Sequence, residues 1–471
     1  MICVGIDIGT QSLKAVVVDG QRVLGQSSLS YSMRAPKPGW AEQDPALWEK
    51  ALSVAVPSAL AEAGVDKGAV RSMCIAGQLD GCVAVDDNCQ VLHPCLLWMD
   101  RRADSLLPSL SEIEMREFHQ RTGLVLDASH MAAKIRWLHN ELGREGLRFH
   151  QPSSYLLERL CGEFVYDHAL ASTTMLYNLT SRGYDDELLA RFAVDPVSLP
   201  RIAGANSVAG LLSESGARLC GLASGTPIAV GTGDDFATAL GAGITEPGPM
   251  LCVLGTAEVV AAVSSQPLLD GDALVETHGY LEKQYFIENP GWLSGGALVW
   301  LRGLLQIASD KELDAMAATA PIGCEGLVFL PALSGAMAPE WQARARGCFY
   351  GLTSAHGRGH MARAVLEGCA FAMRDVRDRL VSMGLSADPI ISVGGGAHSS
   401  LWAQMRSDLT QTEVHRDDQA ENCALGAALL AQAAAQPGES LSQLAAQFPR
   451  QRLAAQPNPG NQAQYQEAYL R

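Results

Sequence analysis

Two aspartates stand where apolar runs give way to glycine-bearing turns. In Asp7-Ile8-Gly9-Thr10 a carboxylate opens a turn whose glycine leaves room for a phosphate to approach the backbone amides, and the threonine hydroxyl adds a donor. A carboxylate beside a polyphosphate makes electrostatic sense if a magnesium ion lies between them, because a hard cation takes oxygen ligands from both. An ordinary hairpin turn carries the same string, so the weight rests on its companions. Gly255-Thr256, in Leu254-Gly255-Thr256-Ala257, is a second turn of this kind, and one on each of two domains would clamp a triphosphate across a cleft. In Gly231-Thr232-Gly233-Asp234-Asp235 a strand ends in two adjacent carboxylates, of which alternation lets only one share a face with a cleft. Asp234 is assigned as a base taking the proton of a hydroxyl that attacks phosphorus. Asp235, directly before Phe236, suits the cap of the following helix.

Gly394-Gly395-Gly396 follows an apolar strand and offers bare backbone on which a flat ring or ribose can lie. The continuation Ala397-His398-Ser399 lacks the last glycine of a dinucleotide fingerprint, which excludes that reading and leaves a tight strand-to-helix turn as the plain one. His356-Gly357-Arg358-Gly359-His360 has metal-like histidine spacing, but its two glycines argue against a helix presenting both imidazoles on one face. Trp40 and Trp98 can stack on a ring or fill a core, and Asp100-Arg101-Arg102 is either a steering cluster or a solvated turn.

The elements that must hold these groups follow from hydrophobic period and turn chemistry. Val4 to Ile8 and Leu13 to Val18 form a hairpin across the first turn, and alternation sets Asp7 on the face opposite Ile6 and Ile8. Ala46 to Ala63 reads as a helix, Val70 to Ala76 as a strand entering Gly77-Gln78-Leu79-Asp80-Gly81, and Ala132 to Leu142 and Leu156 to Leu160 as helical. Pro247-Gly248-Pro249 breaks the chain, placing one domain over 1–244 and a second over 245–435, with a loosely attached Ala/Gln-rich tail over 436–471. The second half repeats the opening grammar of strand, Gly-Thr turn and strand, which predicts two related folds facing each other.

The chain of 471 residues is too long for one hydrophobic core, since single cores stop growing at roughly 250–300 residues. A net charge of -16 argues against nucleic acid or an anionic membrane surface as principal partner. The twelve cysteines show no C-x-x-C pair and suit a reducing cytoplasm. The N-terminus lacks the marks of a signal peptide, and the longest small-apolar stretch, Cys423 to Ala435, falls short of the ~20 residues that span a bilayer.

Together these pieces resemble the FGGY family of carbohydrate kinases, from residue 2 to residue 435. Gly347-Cys348-Phe349-Tyr350-Gly351-Leu352 followed by His360 to Glu367 looks like the family's C-terminal signature, and Ser129 to Glu141 like its N-terminal one, with Met131 where a small residue or proline is usual. The resemblance implies an α/β protein of two actin/hexokinase-like (ribonuclease H-like) domains with an ATP cleft between them. It implies ATP and Mg2+ as cofactors and a small sugar as substrate, with Asp234 as catalytic base and Asp7 and Asp234 on the metal. Gly9, Thr10, Gln11 and Lys14, then Gly255 and Thr256, would serve the phosphates, and Gly394, Gly395 and Gly396 the adenosine. Gln78, Leu79, Asp80, Asp234, Asp235 and Trp98 would meet the sugar. Trp40-Ala41-Glu42-Gln43-Asp44-Pro45 is similar to xylulokinases, so the implied reaction is D-xylulose to D-xylulose 5-phosphate, in an enzyme for which a homodimer is open. Xylulokinases usually carry Met-His where this chain has Leu79-Asp80, and an asparagine where it has Asp235, which leaves another ketose or a polyol open. An actin- or chaperone-like ATPase without a sugar acceptor is the rival reading.

Overall fold

The computed structural model describes all residues except 337–341, 343, 418, 420 and 449–451. Its contacts divide the chain into two units. The first holds Met1–Thr245, Thr277–Tyr285 and Glu421–Pro449, and the second holds Glu246–Glu276, Phe286–Ala420 and Arg450–Arg471. The first break falls beside the expected boundary. The two later segments of the first unit were not expected from the sequence.

In the first unit, Ile2–Ile8 pairs antiparallel with Ser12–Asp19, which pairs with Arg22–Ser30. On its other side Ile2–Ile8 runs parallel to Ser72–Gly77, which is followed in the sheet by Pro227–Ala229 and Val208–Leu211. Val4, Ile6 and Ile8 project to one face with Leu13, Ala15 and Val17, where the helix Pro45–Ala63 buries Trp48, Leu52 and Val56 against them. That helix starts on the Asp44 side-chain cap with Pro45 in its first turn and stops at Gly64 in the left-handed conformation. Gly5 and Asp7 face the other way. A Cβ on Gly5 would lie 1.9 Å from the Ala424 carbonyl, so the bare glycine lets the helix Asn422–Ala435 rest directly on the strand.

The second unit repeats the pattern. Met250–Leu254 and Ala257–Ser264 form an antiparallel hairpin, and Ile390–Val393 runs parallel to the first of them. The hairpin echo predicted from the Gly-Thr turns is therefore present in both sheets. The helices Arg358–Ser382 and Ser400–Thr410 cover the second sheet with Leu366, Met373, Trp402 and Met405.

The chain end differs from the loose tail that its Ala/Gln composition suggests. Arg452–Ala455 joins the second sheet beside Val414–Asp417, and Tyr465 of the helix Gln462–Tyr469 is buried, its hydroxyl accepting a hydrogen bond from Arg363 at 3.0 Å. A single buried aromatic with a polar anchor outweighs an unpromising composition.

Candidate active site

Three parallel strands of the first unit carry the candidate residues. Ile8 pairs with Gly77, and Thr232–Gly233 runs parallel to Ala76 and Gly77. The Gly9 turn, the loop Gln78–Asp80 and Asp234 therefore all leave the carboxyl ends of adjoining strands, the place where open α/β sheets bind ligands.

The first hairpin sets Asp7 opposite Lys14 in register. The Lys14 ammonium lies 3.7 Å from Asp7 Oδ2 and 2.9 Å from Glu421 Oε2, and Asp7 Oδ1 is buried without a hydrogen-bond partner. Burial pushes the Asp7 carboxyl above its ordinary range against the pull of Lys14. Burial also works against the Lys14 charge, but Asp7 and Glu421 outweigh it and raise its pKa. Burial raises the Cys423 thiol first, and the charges of Asp7 and then Asp234 raise it further, so one buried thiol feels both carboxylates. An orphaned carboxylate oxygen in such a corner is what a hard cation satisfies, and the donor set fits Mg2+.

The Gly9-Thr10 turn and the loop after Ser72–Gly77 are tied together. Thr10 Oγ1 donates to Gln78 Oε1 at 3.2 Å and accepts from Trp98 Nε1 at 3.3 Å. The hydroxyl expected as a phosphate donor is thus engaged within the protein, and the Gly9 N–H already donates to the Ser12 carbonyl at 3.0 Å, which leaves the Thr10 amide to offer. Gln43 Nε2 donates to the Thr10 carbonyl, and Gln43 Oε1 accepts from Gln78 and Trp48. Gln11 is exposed, with its carbonyl accepting the Tyr31 N–H.

Asp80 adopts a left-handed backbone, φ 57°, which an aspartate tolerates better than most residues. Its N–H donates to Gln151 Oε1, its carbonyl accepts from Lys134, and its Oδ2 lies 3.1 Å from His130 Nδ1. Its Oδ1 is buried with no partner. Burial pushes the Lys134 ammonium pKa down against the opposing pull of Asp80. Leu79 packs on Gly233, where any Cβ would stand 2.0 Å from the leucine methyl.

Asp234 and Asp235 differ from expectation in one respect. The helix Asp234–Gly241 starts at Asp234 itself with Gly233 as its cap, so both aspartates are half-buried first-turn residues and Asp235 is not the cap. Asp234 Oδ1 accepts the Asp235 N–H at 3.2 Å. The first turn favours negative charge because the amide dipoles point their positive ends there.

Trp40 is half-buried, with the Arg102 guanidinium 3.7 Å over its ring. Asp100-Arg101-Arg102 is not a solvated turn, since Asp100 and Arg102 form a buried ion pair. His356 and His360 each accept a local backbone N–H through Nδ1.

In the second unit, Val253 pairs with Val393, so both glycine turns leave the same end of the sheet. Gly394 has φ 87°, and a Cβ there would meet the Leu254 carbonyl at 2.9 Å, while Gly396 is hemmed by Leu254 and Trp402. Gly395 meets nothing within 4 Å and offers open backbone. Gly255 and Thr256 are exposed, and the Thr256 carbonyl accepts the Gly296 N–H at 3.0 Å.

The family model for the N-terminal domain of FGGY carbohydrate kinases matches residues 2–241, and that for the C-terminal domain matches residues 250–435. The chain belongs to the FGGY family of carbohydrate kinases. The kinase is 31% identical to the xylulose kinase of Escherichia coli over 95% of this chain and 93% of that one, and 33% identical to a glycerol kinase of Gloeobacter violaceus over 90% and 86%. The structure of a ligand-bound xylulose kinase from Lactobacillus acidophilus superposes with a TM-score of 0.93 at 25% identity, covering 100% of this chain and 96% of that one. The kinase thus has the two-domain, actin/hexokinase-like fold of its family, and its acceptor is a sugar or polyol. Family membership sets aside the sugar-free ATPase reading.

Glu421, Cys423, Gln43 and His130 entered no sequence-based site assignment. His130 and Gln43 lie inside stretches that resemble the family, which was a usable signal. Glu421 and Cys423 carry none, because they reach Asp7 only through the packing of a helix from the far end of the chain.

Proposed function

We propose that this kinase transfers the γ-phosphoryl group of ATP to the primary hydroxyl of D-xylulose, giving D-xylulose 5-phosphate. The observation that carries the reading is the convergence of the Gly9 turn, the Gln78–Asp80 loop and Asp234 at the carboxyl ends of three adjoining strands. Asp234 takes the proton of the attacking hydroxyl. The Thr10 amide holds a phosphate oxygen, Gly9 leaves room for its approach, and Gln11 and Lys14 serve as further phosphate contacts. Gly255 and Thr256 serve phosphate in the second unit, and the open backbone of Gly395, framed by Gly394 and Gly396, takes the adenosine. Magnesium, held by Asp7 and Asp234, would neutralise the phosphate charge when bound. Gln78, Leu79, Asp80, Asp235 and Trp98 orient the sugar, Asp80 through its free Oδ1.

Xylulose is favoured over other acceptors by the similarity to xylulose kinases. A glycerol kinase is of comparable identity, and Asp80 and Asp235 depart from the xylulokinase pattern, so a different ketose or a polyol is the second reading. Twelve free cysteines support the cytoplasm as the working compartment. Among the described residues no helix is long and apolar enough to cross a membrane. Asp234→Asn tests the reading: it is expected to lower sugar-dependent ADP release by at least ~100-fold while ATP still binds. Near-wild-type turnover would remove Asp234 from its role.

A further inference from the structure

Away from Asp7 and Asp234, three potential ligand atoms meet in a buried corner of the first unit. Cys89, His150 and Glu158 each offer one, and these atoms lie within 4.8 Å of one another. His150 ends the strand Arg148–His150, which pairs with Val83–Val85, and Glu158 lies on the helix Pro152–Cys161. Cys89 sits in a turn tied by Asp86, whose carboxylate accepts the N–H groups of Asn88 and Gln90. The turn holds Cys89 in a left-handed backbone, φ 56°, that cysteine seldom adopts, and it turns the thiol inward although Asp87, Asn88 and Gln90 are exposed.

The hydrogen bonds around His150 decide what its inner nitrogen presents. Ser154 Oγ donates to the Gln151 carbonyl at 3.0 Å, so it can only accept from His150 Nδ1, 3.2 Å away. That network places the proton on Nδ1 and leaves a lone pair on Nε2. Nε2 nevertheless lies 2.8 Å from Glu158 Oε2, without hydrogen-bond geometry, and both atoms are buried with no hydrogen-bond partner. Two lone pairs at that distance repel unless a positive species lies against both. A second proton on the ring would serve, but the pair lacks the geometry of a hydrogen bond, and the imidazole is fully buried with the Phe164 ring centroid 4.7 Å away. The Arg148 guanidinium takes the other Glu158 oxygen, Oε1, and so turns Oε2 toward His150.

We infer that Cys89 Sγ, His150 Nε2 and Glu158 Oε2 form a binding site for a thiolate-seeking divalent transition metal, with Zn2+ the best match. Sulfur, imidazole and carboxylate are zinc's protein ligands, and three of them leave a fourth tetrahedral position for water. Tetrahedral ligands at zinc distances stand about 3.3–3.8 Å apart, so the 2.8 Å contact of His150 and Glu158 opens slightly on binding. The exposed turn around Cys89 supplies the entry path. Gln151, next to His150, holds the Asp80 N–H, so the metal would stiffen the support of that loop.

The test uses the full-length chain, stripped of metal and kept reduced, in excess MgCl2 so that Asp7 and Asp234 do not compete. Cobalt(II) alone is titrated in and thiolate-to-metal charge-transfer absorption is read, then zinc displaces it in a chelator competition. The site predicts one equivalent per chain, sub-micromolar zinc affinity and a raised thermal midpoint. Cys89→Ser, nearly isosteric, should abolish the cobalt band and weaken zinc binding at least ~100-fold. Cys348→Ser, which alters the exposed thiol, should change neither. Absence of the band in the wild type, as a plain imidazolium–carboxylate pair would give, overturns the inference. So does a band that survives Cys89→Ser.

Discussion

Asp80 shows how much one side chain sets at a site whose framework belongs to a family. Its Oδ2 is engaged by His130, its backbone is gripped by Gln151 and Lys134, and Oδ1 is left over as a buried acceptor. A histidine there would offer a donor. Asp80→Asn keeps the shape and the His130 contact but presents an amide donor where Oδ1 stood, so KM for the sugar should rise roughly tenfold with little change in kcat. An unchanged KM in steady-state kinetics would take Asp80 out of sugar recognition. Asp167 acts at one remove: it caps a short helix through Leu170 and accepts the Thr232 hydroxyl at 2.8 Å, two residues before Asp234. Burial pushes its carboxyl up to about 6, against the hydrogen bonds that favour its charge. A carboxyl raised on folding contributes stability that is full below its ordinary value near 4 and is lost as pH rises through about 6, up to roughly 3 kcal/mol. Asp167→Asn lacks that loss. The difference in thermal midpoint between variant and wild type should therefore move in the variant's favour from pH 4 to pH 7, and a gap independent of pH would contradict the assignment.

At the scale of elements, the site depends on helices that touch backbone to backbone. A Cβ on Gly426 would stand 1.9 Å from the Ala237 carbonyl, and one on Gly241 1.8 Å from that of Asn422. These glycines let the helix Asn422–Ala435 hold the helix that Asp234 begins. Gly426→Ala should lower stability by about 1–3 kcal/mol and kcat by about 10–100-fold, because Asp234 moves with its helix. Gly271→Ala, where a Cβ meets nothing within 4 Å, is the control and should be silent in both assays. In the second unit Arg406 and Glu258 form a bidentate pair with no side-chain exposure. Arg406→Met strands a buried carboxylate and should cost about 3–5 kcal/mol in chemical denaturation, much of it recovered when Glu258→Gln is added. The hairpins that carry Asp7 and Gly255 were legible in the sequence, because β-branched runs and glycine turns are local signals. The start of the helix at Asp234 is not legible, since nothing local distinguishes a strand that ends after Asp235 from one that ends at Gly233.

At the scale of the molecule, each unit is assembled from distant stretches of chain. Lys14 meets Glu421, and Arg363 meets Tyr465. Such pairings are invisible to turn chemistry and hydrophobic period, which is why Glu421 and Cys423 escaped notice and why residues 436–471 read as a tail. The family was legible all the same, because its motifs lie in the loops at strand ends, where glycine and carboxylate types are dictated by what the backbone must approach. The acceptor was not, because it depends on a few hydrogen-bonding side chains around a common framework, and Asp80 and Asp235 are where this chain departs from the xylulokinase pattern. The most direct test is ADP release by the wild type and Asp234→Asn, with ATP and Mg2+, across pentuloses, hexuloses and polyols including glycerol. The account predicts sugar-dependent ADP release with the highest kcat/KM for D-xylulose, and none above background from Asp234→Asn. ADP release that is indifferent to added sugar, or that persists in Asp234→Asn, would contradict it.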